Sequence, residues 1–262
     1  MSTTASSSLL GGCLRGFILG LALAGLLPAA RAGTWNWNDG GGARVTGSGH
    51  VVSENRSLSG YEALALKAPF KLELRQSGHE GLSLSGDDNL LPLVETRVIE
   101  GHDGLKTLEI GLKPGSSITS RNEIRVTVDF AKLRALSSEG SGDISGQGLR
   151  LGAFSASLSG SGDLSLKDLR ADSLKLSIAG SGDFSASGQV PSFSASIAGS
   201  GDVHAAELAC DDVTVNIAGS GDADVQARKT LNVSIAGSGD VYYRGAARVS
   251  QSIFGSGGVH AR

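Results

Sequence analysis

Through the second half of the chain, apolar and polar residues alternate with period two, and the alternation itself recurs about every twenty residues. The recurring mark is the tetrapeptide Gly-Ser-Gly-Asp, at residues 140–143, 160–163, 180–183, 199–202, 219–222 and 237–240, with a seventh copy at 255–258 that ends in Gly258. The last positions of successive copies lie 20, 20, 19, 20, 18 and 18 residues apart. Aligned on that position, three apolar columns precede it. Nine residues before stand Phe154, Leu174, Phe193, Val213, Leu231 and Val249; seven before, Leu136, Ala156, Leu176, Ala195, Val215 and Val233; five before, Leu158, Ile178, Ile197, Ile217, Ile235 and Ile253. Ile144, Leu164, Phe184, Val203, Ala223, Val241 and Val259 follow it directly. Ser, Thr, Asn and Lys fill the places between. This is the pattern of strands with one buried face, and helical spacing fits none of it.

Each repeat therefore reads as strand, Gly-Ser-Gly-Asp corner, strand and a second corner. Twenty extended residues cover roughly 66 Å at ~3.3 Å each, a fitting circumference for one coil of a β-helix. One coil cannot bury its inner face alone; stacked coils place isoleucine on isoleucine and pair each backbone with the coil above and below. Glycine permits the sharp turns. An antiparallel barrel or sandwich with a hairpin at each tetrapeptide also explains the turns, but not the recurrence of one residue in one column. The last copy breaks the pattern at Gln251 and Gly258, as terminal repeats do.

The segment 45–131 is expected to be a strand-rich cap packed on the first coil, ahead of a solenoid over 132–262. Its candidate strands are 61–66, 70–75, 81–85, 94–99, 106–112 and 123–129, with a short helical turn opening at Asp88-Asn89-Leu90-Leu91 and a degenerate corner at Gly47-Ser48-Gly49-His50. Residues 33–44, rich in Gly and Asn, read as a flexible leader.

Residues 1–32 have the anatomy of an export signal: Arg15, an apolar run at 16–27 and the small-x-small site Ala30-Arg31-Ala32. The run is shorter than the ~20 apolar residues of a transmembrane helix. Cleavage there removes two arginines and no acids, so the net charge of −3 becomes 21 − 26 = −5. Such a balance excludes a nucleic-acid partner that needs a concentrated basic face. The product is placed in the periplasm, at the outer-membrane surface or outside the cell, with no membrane span. Cys210 is then its single cysteine, unable to close an internal disulfide, and reads as a small buried residue.

The Gly-Ser-Gly-Asp corners, the stretch Gly86-Asp87-Asp88-Asn89-Leu90-Leu91 and the segment Gly104-Leu105-Lys106-Thr107-Leu108-Glu109-Ile110 resemble the head GIN domain family, described as putative auto-transporter adhesins. The resemblance spans about 45–259. It implies a right-handed parallel β-helix in an exported bacterial protein, similar in shape to pectin-lyase-like solenoids, and adhesion as its role; it supplies no catalytic residues. The chain departs from the repeat at Gly258 and at Ser138, where the core column otherwise has Leu or Ile.

In stacked coils Asp143, Asp163, Asp183, Asp202, Asp222 and Asp240 form a ladder with rungs about 4.8 Å apart. Neighbouring unit charges at that distance repel by ~0.9 kcal/mol in water and ~3.5 kcal/mol at an effective dielectric of 20. Two things offset such a cost: hydrogen bonds from turn N–H groups, or bound cations, with calcium the natural partner of oxygen ligands. No other cofactor is signalled. His50, His79, His102, His204 and His260 show no metal-ligand spacing; His204, Asp224 and Tyr242 share one outward column. A repetitive surface of small polar residues points to a non-catalytic envelope protein, an adhesion or protein/glycan interaction module with an unidentified surface ligand. The alternatives are a periplasmic scaffold or sensor-type binding protein, and a polysaccharide-active β-helix enzyme, whose site would need a local break from repetition. The strand edge of the last coil also offers a place for self-association.

Overall fold

The computed structural model describes residues 44–101 and 104–262; the export segment, nearly all of the leader and His102 lie outside the described residues. Strands dominate, and the one helical segment among the described residues is the 3-10 turn Leu91–Leu93. It sits one turn later than expected, because Asp87, Asp88 and Asn89 spend their polar groups on other segments.

The repeats stack as parallel coils. Strand Arg150–Gly160 pairs with Leu164–Gly180, placing Phe154 beside Leu174, Ala156 beside Leu176 and Leu158 beside Ile178. The same columns continue through Phe193, Ala195 and Ile197, then Val213, Val215 and Ile217, then Leu231, Val233 and Ile235, and end at Val249, Gln251 and Ile253. These strands before the corner make a first face. Strands after the corner make a second face, in which Ile144, Leu164, Phe184, Val203, Ala223, Val241 and Val259 follow one another. The inward side chains of both faces form one core; Phe184 and Phe193 meet across it with ring centroids 6.2 Å apart. Seven corners thus delimit a solenoid of about six turns. Coil lengths of 18 to 20 residues are accommodated on the return side, where the register shifts between Leu166 and Leu169, Ser185 and Ser187, and Ala205 and Ala209.

Glycine at the corner answers to stacking as well as to turning. The N–H groups of Ser161 and Gly162 both reach the Gly140 carbonyl of the coil before, at 2.9 and 3.2 Å. A Cβ at Gly199 would lie 2.2 Å from the Gly180 carbonyl oxygen, and Gly199 has φ of +136°; a Cβ at Gly201 would lie 2.2 Å from the Gly182 oxygen. Only glycine lets successive corners approach this closely.

The segment expected to be a cap does more than cap. Ala63–Leu66 pairs in parallel with Ala135–Gly140, and Lys71–Gln76 with Ile144–Gln147. On their other side lie Lys106–Leu112 and Arg125–Phe130, also parallel. The stack therefore continues two layers below the first tetrapeptide, in an order that inverts the sequence. Antiparallel strands then close this end: Val94–Glu100 on Lys106–Leu112, Gly81–Asp87 on Arg125–Phe130, and Val51–Arg56 on Gly81–Asp87.

Buried polar residues fasten that end. Asp87, 1% exposed, accepts from the Ser120 hydroxyl and from Asn122 Nδ2 at 2.8 Å, and these bonds, Ser120 foremost, hold its carboxyl below its ordinary pKa. Asn89 accepts the Ser48 N–H at 2.9 Å and donates to the Thr46 carbonyl at 2.8 Å. Residues 47–50 are consequently a clasp leading into an antiparallel strand, not the corner of a coil. Glu109 accepts from Lys67 and from Arg97 Nε at 2.6 Å, and Lys67 is the main cause of its lowered pKa.

Ser138 takes its place in the isoleucine column between Leu66 and Leu158, 3% exposed, with an unpartnered hydroxyl. A buried hydroxyl without a partner costs ~1–3 kcal/mol. Ser138→Ala should therefore hold or raise stability, by about 1 kcal/mol, while Gly199→Ala should lower it by more than about 2 kcal/mol. Urea unfolding followed by circular dichroism reads both; a Gly199→Ala protein as stable as the parent would contradict the close approach of corners.

Candidate functional site

The aspartate at each corner faces outward, beside the second face, and the structure gives it a definite task. Asp163 N–H donates to Asp143 Oδ1 at 3.3 Å, Asp183 N–H to Asp163 Oδ1 at 2.9 Å, and Asp202 N–H to Asp183 Oδ1 at 2.9 Å. Asp222 and Asp240 continue the chain at 2.8 and 2.7 Å. Gly258 N–H closes it on Asp240 Oδ1 at 2.7 Å. The donor thus comes from the next coil, not from the aspartate's own turn. Among the described residues no three His, Cys, Asp or Glu side chains gather as a metal-ligand set.

Two residues past the corner runs the outward column Ser145, Ser165, Ser185, His204, Asp224, Tyr242 and His260. The grouping of His204, Asp224 and Tyr242 read from the sequence is thereby realised, and His260 joins it. Below Ser145 the column continues in Glu73 and Thr127. This second face is concave. One hollow of about 550 Å³ is lined by Ser165, Lys167, Ser185, Ser187, His204, Glu207 and Asp224, with Ala186 and Ala206 at its base. Another of about 480 Å³ is lined by Lys71, Glu73, Arg125, Asp143, Ser145 and Asp163, and shares Ser165 with the first. Together they make a groove of mixed polar and apolar lining along the stack.

The groove's far end is walled. Tyr242 and His260 stack at 5.2 Å, the Arg262 guanidinium lies 4.0 Å from the Tyr242 ring centre, and Arg262 donates to Asp224 Oδ2 at 2.6 Å. His260 Nε2 stands 3.3 Å from Asp240 Oδ1. Asp224 Oδ1 is buried and has no partner.

The other candidates lie elsewhere. His50 and His79 are exposed on loops of the closed end, where His79 Nδ1 is 3.2 Å from the Ser77 carbonyl. Cys210 is 1% exposed on the return side, and burial pushes its thiol up to about 12, so it is not a reactive group at neutral pH. Reading by tetrapeptide missed Lys71 and Arg125, which occupy the aspartate column in the two lower layers. A signal existed: six residues separate Leu66 from Leu72, as they separate Ser138 from Ile144. Lys67-Ala68-Pro69-Phe70 hides it, because this corner has no glycine.

A family model described as "Putative auto-transporter adhesin, head GIN domain" matches residues 60–247. No curated protein matches the chain. Among solved structures, a protein of Parabacteroides distasonis named a "putative lipid binding protein" is 27% identical, with a TM-score of 0.70 over 84% of this chain and 100% of its own. A "putative adhesin" of Bacteroides fragilis is 21% identical, with a TM-score of 0.75 over 83% of this chain and 100% of its own. A "putative adhesin" of Parabacteroides merdae is 21% identical, with a TM-score of 0.61 over 84% of this chain and 99% of its own. The last two likenesses carry the fold alone.

The ladder makes a distinctive prediction. Asp202→Asn keeps an acceptor for the Asp222 N–H and removes a like charge, so its melting temperature should match or exceed the parent's. Asp202→Ala strands that N–H and should cost about 1–2 kcal/mol. Added sodium chloride should raise the parent's melting temperature by screening the column, and calcium chloride at matched ionic strength should do no more. A larger rise with calcium would instead assign the column to cation binding.

Proposed function

The chain belongs to the head GIN domain family, and from that membership and the geometry of its second face we propose that it is an exported, non-catalytic adhesion module of the cell envelope whose second face engages the ligand. The observation that carries this reading is the groove of the second face: two hollows that share Ser165 and follow one another along the stack. Repetition suits adhesion. A ligand with its own repeat meets similar groups coil after coil, and many weak contacts add up to retention without any single strong one. The order of groups supports binding over turnover, since each ladder carboxylate is held by the next coil's N–H. The apolar stretch at 16–27 supports export to the envelope or beyond.

Beads coated with the mature protein should adhere to intact bacterial cells or to envelope-derived surfaces. Ser145→Arg with Ser185→Arg places bulk and charge in the groove and should reduce adhesion at least about tenfold, a loss of ~1.4 kcal/mol. Ser155→Arg with Ser196→Arg, on the first face, should leave it unchanged. Equal loss from both pairs, or loss from the first-face pair alone, would contradict the assignment.

A further inference from the structure

The larger hollow has a definite chemistry. Its donors are Lys167, the hydroxyls of Ser185 and Ser187, and the imidazole of His204; its acceptors are Glu207 and Asp224. Ala186 and Ala206 supply a small apolar base between them. Lys167 and Arg262 balance Glu207 and Asp224, so the site as a whole asks for a ligand without net charge. Asp224 Oδ1 is a buried acceptor with no donor. Asp224 Oδ2 is held by Arg262, so the groups that stand open to a ligand are the imidazole of His204 and the carboxylate of Glu207.

Other ligand classes fit less well. An extended peptide binds a sheet by adding a strand to an open edge, but the strands under this hollow have coils on both sides: Leu164–Gly180 lies between Ile144–Gln147 and Phe184–Gln189. Recognition there must come from side chains. An acyl chain needs an enclosed apolar cavity, and the interior of the solenoid is occupied by Leu, Ile, Val and Phe side chains, while the hollow carries the charged groups of Lys167, Glu207 and Asp224. Hydroxyl groups on an otherwise apolar ring match alternating donors and acceptors above a methyl base. We infer that the hollow binds a neutral oligosaccharide lying along the stack across Ser165, Ser185 and His204, with sugar hydroxyls meeting the exposed side chains of His204 and Glu207. This deepens, and rests on, the reading of the second face as the binding surface.

Isothermal titration of the mature protein with neutral hexasaccharides of glucose, mannose and N-acetylglucosamine, in α and β linkages, tests it directly. At least one should bind, and His204→Ala and Glu207→Gln, both at exposed positions, should each weaken it about tenfold with the melting temperature unchanged. No binding by any neutral hexasaccharide would overturn the inference, as would binding confined to oligogalacturonate or to phosphatidylcholine vesicles. The two readings fail separately. Adhesion blocked by the Ser145/Ser185 arginine pair without saccharide binding keeps the face and sinks the sugar. Saccharide binding with adhesion untouched by that pair keeps the sugar and sinks the adhesive role.

Discussion

Each corner of this solenoid rests directly on the backbone of the corner before it. The carbonyl of one glycine receives one or two N–H groups from the next coil, at a distance that leaves no room for a side chain. That approach fixes the height of a coil and locks its angular position. With corners in register, the strands on either side have no freedom to slip, and a one-residue slip would turn every inward isoleucine to solvent. Length differences are consequently confined to the return side, the one part of the coil where the ladder tolerates them.

The same constraint creates a cost and the means of offsetting it. Stacked corners bring like-charged aspartates together, yet each carboxylate is also brought within reach of the next coil's N–H, a charge-assisted bond of the stronger kind. The ladder reads in one direction, and at Gly258, which has no carboxylate, the backbone N–H still donates to Asp240. Beside this fixed column, the second face is free to vary in its outward residues. Serines give way to His204, Asp224 and Tyr242, and the groove acquires chemistry along its length without disturbing the coil that carries it.

Much of this was legible in the sequence, because repetition reports burial directly: the columns of Phe, Leu, Val and Ile are the columns of the core, and the strand candidates of the first half fall on strands. The layer order was not legible. That 63–76 lies between 106–130 and the first tetrapeptide coil depends on pairings between segments far apart in the chain, and the Pro-containing corner at 67–70 carries no glycine to announce itself. Likewise the motif at 86–91, one of the stretches that carry the family resemblance, acts as a clasp for residues 46–48 and 120–122, a role no local pattern announces. The groove escaped as well, since its lining comes from segments far apart in the chain and not from any one residue. Arg262, reaching across two coils to Asp224, is a contact between positions 38 apart that no local pattern encodes.

Register between coils can be measured without a ligand. Ser177 and Ser196 are exposed partners on adjacent coils of the first face, and parallel neighbours at about 4.8 Å lie within the Cα range of a disulfide. The buried Cys210 does not compete. Ser177→Cys with Ser196→Cys should oxidise to a cross-link rapidly and nearly completely in the folded protein, while Ser177→Cys with Ser194→Cys should not. Equal cross-linking of the two pairs, or none from the first, would contradict the stacking on which the ladder and the groove both stand.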